Sequence, residues 1–150
     1  MHFAQICDRI NVAEAGPIDI RALPGTWINS NPDTNGIARV VIAESHGNLS
    51  LQIYAVGPDR LIDWGTAGVS VFASTPSSRV AAGFTCVYDF GFVETRLQGM
   101  IMKGLLVLAQ LHSFKDESRR ADYFVREYFA LAHEQYYKAA AKATTIHETA

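Results

Sequence analysis

Between Gly25 and Phe129 the apolar residues fall into short runs of β-branched, aliphatic and aromatic side chains. Each run is bounded by glycine, proline, asparagine, aspartate or serine. Such runs, several of them alternating apolar with polar positions, predict antiparallel strands joined by hairpins. The spacing predicts strands over residues 26–30, 37–43, 49–56, 61–64, 69–73, 80–88, 92–102, 105–114 and 121–129. Turns fall at Asn31 to Gly36, Ser45 to Asn48, Gly57 to Asp59, Thr75 to Ser78, Asp89 to Gly91 and Lys103-Gly104, with Asn35-Gly36 carrying the strongest local preference for positive φ. A regular meander of this kind predicts a mainly β fold, a single antiparallel up-and-down β-barrel of about eight or nine strands.

The flanks carry a different period. Phe3, Ile6, Cys7 and Ile10 recur at helical intervals and predict a short helix over residues 3–12, ended by Ala15-Gly16-Pro17. Residues 131–143 are rich in Ala, Glu, Gln and Lys and predict a second short helix. Its thin apolar side, with Leu131, Tyr136, Ala139 and Ala140, is suited to dock on the barrel or on a second subunit as a homodimer. The expected organisation is one domain over 1–150: a lead-in at 1–24, the barrel at 25–130 and a helical tail at 131–150.

Composition narrows the chemistry. The 150 residues are 49% hydrophobic and 19% charged, the balance of a folded globule with a good core. A net charge of −2 and no basic run beyond Arg119-Arg120 argue against a nucleic-acid partner. The first residues lack a basic segment followed by an apolar one, and no window approaches the length of a membrane helix, so no membrane partner and a cytoplasmic location are expected. Two cysteines, Cys7 and Cys86, are too few for a disulfide framework and lack metal spacing; both are expected reduced.

Motifs for metal, cofactor or nucleophile are missing. There is no His-x-His or His-Glu-x-x-His, no Gly-x-Ser-x-Gly and no phosphate-cradling glycine loop. No metal and no cofactor are therefore expected. Candidate chemistry rests on strand faces instead. Alternation sets Glu94, Arg96, Gln98 and Met100 on one face of their strand; Asp122, Phe124, Arg126 and Tyr128 share one face of the last strand, opposite Tyr123, Val125, Glu127 and Phe129. Turned outward, the polar faces are ordinary solvent surfaces. Turned inward, Glu94, Arg96 and Arg126 would form a paired network that orients a polar ligand end, with Glu94, Arg126 and Tyr128 as candidate catalytic groups. Gln110 and His112 share the face of Leu106 and Leu108, next to the expected core, and need partners there.

Gly25-Thr26-Trp27, opening the first strand after a proline-bounded lead-in, resembles the Gly-x-Trp signature of the calycin group: lipocalins, fatty-acid-binding proteins and avidins. The resemblance implies a barrel closed at one end by Trp27, with an arginine of the last strand, here Arg126, packed over its ring. Gly25-Thr26-Trp27-Ile28-Asn29 is also similar to the avidin opening, which implies a lumen-facing Asn29, although the avidin ligand-stacking tryptophans have no counterparts and biotin binding is not expected.

Three functions follow as expectations. The first is binding of an apolar small molecule in the lumen, walled by Tyr54, Trp64, Phe84, Tyr88, Phe124 and Tyr128 and oriented by Asn29, Arg96, Gln110 and His112. The second is a cofactor-independent cyclase or isomerase that folds a flexible apolar substrate of natural-product type, for which small calycin-like barrels give the precedent. The third is a filled-barrel interaction module that pairs as a homodimer.

Overall fold

The computed structural model describes residues 16–133, which form nine strands: β1 (Gly25–Asn29), β2 (Ile37–Ser45), β3 (Asn48–Val56), β4 (Leu61–Gly68), β5 (Ser70–Ala73), β6 (Ala81–Asp89), β7 (Val93–Met102), β8 (Leu105–Phe114) and β9 (Tyr123–Leu131). The expected helices at 3–12 and beyond the last strand lie outside the described residues, as does Cys7. All nine strands belong to one antiparallel sheet in the order β4-β3-β2-β1-β9-β8-β7-β6-β5. The sheet curls into a nearly closed barrel, compatible in architecture with the calycin outline.

Closure depends on a strand that the sequence divides at its glycines. Gly65 and Gly68 predict a break between two short runs, yet β4 passes through Gly65 without ending, and only Val69 separates it from β5. Gly65 takes φ +85°, and the register of β3 with β4 shifts between Gln52 and Tyr54. The glycine therefore marks a bulge. β4 and β5 run in the same direction, the first paired with β3 and the second with β6, so the path Leu61 to Ala73 crosses from one edge of the sheet to the other. The Tyr88 hydroxyl stitches this seam by donating to the carbonyl oxygens of Leu51 (3.1 Å) or Gly65 (2.9 Å).

The two ends of the barrel differ. At one end the hairpins are tight: His46-Gly47 and Lys103-Gly104 both have positive φ at each residue, the geometry of type I′ turns. The lead-in is tied across that end, with Asp19 bridging Val80 and Leu23 wholly buried. β9 runs on to Leu131, two residues beyond its expected end, because Leu131 pairs with Trp27. The Trp27 indole, 2% exposed, donates its N–H to the Leu23 carbonyl. At the other end lie the longer loops 30–36 and 115–122.

Inward positions follow the alternation of each strand. The core holds Ile37, Val40, Leu51, Ile53, Phe84, Leu97, Leu106, Leu108 and Phe129. Phe84 lies so close over Gly99 that a Cβ there would fall 2.2 Å from its ring. The core side chains are buried against one another as a single cluster.

Candidate functional site

The open end holds a cavity of about 570 Å³, lined by Ala55, Val56, Ile62, Trp64, Tyr123 and Val125 on the apolar side and by Thr34, Asn35, Gln110, His112 and Glu127 on the polar side. Its floor follows from the strand faces. β8 sends Gln110 and His112 inward, β9 sends Tyr123, Val125 and Glu127 inward, and β1 ends on the buried Asn29.

Glu127 organises this end. Its carboxylate accepts from Asn29 Nδ2, Thr34 Oγ1 (2.6 Å), Gln110 Nε2 (2.9 Å) and the Ile37 backbone N–H (3.2 Å). Burial by itself would raise the carboxyl pKa, but hydrogen bonds from Thr34, Gln110, Ile37 and Asn29 outweigh it and hold Glu127 below the usual carboxylate range. The group is an anion saturated by neutral donors. Among the described residues it has no Lys or Arg partner. Gly36 leaves space beside it rather than supplying a special φ, since a Cβ there would stand 2.5 Å from Glu127 Oε1. The Asn35-Gly36 pair thus does not supply the positive-φ turn that its sequence predicts.

His112 sits next to this anion on β8. Its Nδ1 lies 2.8 Å from Thr95 Oγ1, and its ring stacks on Tyr123 with centroids 4.3 Å apart. Burial pushes its pKa down, so the ring is neutral at pH 7. On the facing wall Trp64 meets Tyr88 and Phe90 edge-on at 5.5 and 5.2 Å, and Tyr88 stacks on Phe90. Burial also raises the Tyr88 phenol and pushes the Cys86 thiol up to about 11; both stay protonated within the filled core.

The expected site residues separate into two groups. Asn29, Trp64, Gln110 and His112 come together at the mouth, with Tyr88 beneath Trp64. Phe84 is inward but is consumed by core packing against Gly99. Glu94, Arg96, Phe124, Arg126, Tyr128 and Tyr54 occupy the outer faces of their strands. The condition for an internal Glu94, Arg96 and Arg126 network is therefore not met. Glu94 pairs with Arg96 at 2.9 Å on the outside, Arg126 lies 5.7 Å over the Phe124 ring, and Tyr54 stacks under Arg39. Trp27 is capped by Leu23 where the resemblance placed Arg126.

Sequence reasoning missed Glu127, Thr95 and Tyr123. Glu127 was legible as one member of the alternative face of β9. The signal for choosing that face was its level with two other inward polar groups, Asn29 and Gln110, which need a partner there. Among the described residues no group of three or more His, Cys, Asp and Glu side chains is placed to hold a metal ion, and no helix is long and apolar enough to cross a membrane. Comparison with protein-family models, with curated proteins and with solved structures finds no match.

Proposed function

We propose that the protein binds a small, largely apolar molecule in the mouth of the barrel. The observation that carries this reading is the cavity of about 570 Å³, within the size range of small-molecule sites and walled by Trp64, Tyr123, Val125 and Ile62 above a polar floor. A barrel serving only as a packed scaffold accounts for the buried core and leaves this space without a purpose. The second reading, a cofactor-independent cyclase or isomerase, draws on one observation: neutral His112 lines the same cavity and has the chemistry to polarise a bound substrate. A calycin-like barrel and a cytoplasmic setting belong to the same proposal, the latter supported by the free, buried Cys86.

The test is titration with the neutral apolar probe N-phenyl-1-naphthylamine. Saturable, blue-shifted probe emission is expected, with energy transfer from Trp64 that is lost in Trp64→Phe while Trp27 remains at the far end. Emission that rises without saturation would overturn the reading. Mass spectrometry of the purified protein, native and then denatured, would name any co-purified molecule and so the compound to assay for turnover.

A further inference from the structure

His112 lines the cavity, and the protonation state of its ring can be worked out from its neighbours. Thr95 is 1% exposed, and among the described residues its hydroxyl has a single hydrogen-bond partner, His112 Nδ1 at 2.8 Å. A buried hydroxyl proton needs an acceptor, and Nδ1 is the one within reach. The Thr95 O–H therefore donates to Nδ1, and the single proton of the neutral imidazole resides on Nε2. Among the described residues Nε2 has no partner, and it is not sealed in, since the only side-chain polar atom of those residues both buried and unpaired is Arg39 Nε. Nε2 is therefore the ring nitrogen left free on a residue that lines the cavity.

Two other donors of the polar floor are already committed. The Gln110 amide N–H and the Thr34 hydroxyl are spent on Glu127, and no Lys or Arg lines the cavity. Beside an anion that has no Lys or Arg partner among the described residues, the mouth therefore offers the His112 Nε2–H. We infer that, within the small-molecule reading above on which this rests, the ligand is a neutral carbonyl compound whose oxygen accepts from His112 Nε2–H and whose apolar body lies against Trp64, Val125 and Ile62. A carboxylate is disfavoured by Glu127, and a pure hydrocarbon leaves the N–H unpaired.

The test is displacement of N-phenyl-1-naphthylamine by three compounds of matched shape: 2-acetylnaphthalene, 2-ethylnaphthalene and 2-naphthoate. The expected order is ketone first, hydrocarbon roughly tenfold weaker, the margin of one net hydrogen bond, and carboxylate weakest. In His112→Phe the ketone loses its margin over the hydrocarbon; in Thr95→Val, which frees Nδ1 and releases the tautomer, the ketone's margin shrinks. Nitrogen NMR of the wild-type ring reads the tautomer directly, with Nδ1 expected at the shift of an unprotonated nitrogen and Nε2 at that of a protonated one. Equal displacement by ketone and hydrocarbon in the wild type, or an unprotonated Nε2, overturns the inference while leaving the site itself standing. A probe that does not bind overturns the site reading, and the nitrogen spectrum then decides the tautomer on its own.

Discussion

The barrel has two ends built on the same plan, each with a tryptophan set against inward strand positions, and they have opposite fates. At the closed end Trp27 finds every surface covered: Leu23 accepts its N–H and Leu131 pairs with its strand, while the turns at 46–47 and 103–104 leave no excess chain. At the mouth Trp64 is only half-buried and looks across open space toward Tyr123 and Val125. The difference lies in the polar groups. Among the described residues no charged side chain enters the core at the closed end, whereas the mouth carries Glu127, whose four donors hold Thr34 and Ile37 around it and make loop 30–36 a rim. A polar anchor supports the mouth where a hydrophobic plug would fill it.

The largest effect is expected at the plug. Trp27→Ala removes a fully enclosed indole and strands the Leu23 carbonyl, so a loss of about 3–5 kcal/mol is expected in urea unfolding. If the two ends act independently, folded Trp27→Ala should bind the apolar probe as the wild type does. Weakened probe binding in the folded fraction would show instead that the plug transmits to the rim.

Glu127→Gln comes next. The glutamine side chain keeps one acceptor oxygen but turns an NH₂ toward some of the donors that faced the carboxylate, and a cost of about 2–3 kcal/mol is expected. The effect has a pH signature. Because the folded pKa of Glu127 is depressed, its contribution is present above the unfolded value and is lost as pH falls below about 4.5 toward the folded one. Unfolding of wild type and Glu127→Gln measured from pH 7 to pH 3 should therefore converge at the acid end. A difference that stays constant across that range would mean that the charge is not what the four donors stabilise.

Most of the architecture was legible in the sequence because turn chemistry and period-two alternation act locally. Lys103-Gly104 and His46-Gly47 announce their hairpins whatever surrounds them. What was not legible was decided by partners far along the chain. On β9 both faces mix aromatic or aliphatic residues with one or two charges, Phe124, Arg126 and Tyr128 against Val125, Glu127 and Phe129, so alternation alone cannot say which enters the barrel. The choice is made by registers such as Gln110 with Val125 and by the donors that reach Glu127 from β1 and β2. The aromatic content of Phe124 and Tyr128 pointed to the wall, yet their rings are 56% and 45% exposed. The joined path of β4 and β5 escaped for the same reason: Gly65 reads as a breaker until the edges of β3 and β6 draw the strand across.

Gly36→Ala sharpens the comparison more gently. The added methyl meets Glu127 Oε1 and can be relieved by a shift of the carboxylate, so a cost of about 1–2 kcal/mol is expected, with part of the acid sensitivity of Glu127 lost alongside it. A neutral outcome would place the rim loop free of the anion.

The smallest effect on stability should accompany the largest on binding. Val125 lines the cavity and is half-buried, so enlarging it to Phe projects new atoms into space that holds no protein atoms, and unfolding is expected to change by no more than about 0.5 kcal/mol. The same ring occupies volume that the apolar probe needs, and its affinity should fall by at least tenfold. No matching substitution exists at the closed end, where Leu23 is 0% exposed and added volume must displace packed atoms. If Val125→Phe instead destabilises the fold as a core substitution would, the mouth is as tightly packed as the plug, and the distinction between the two ends fails along with the site built on it.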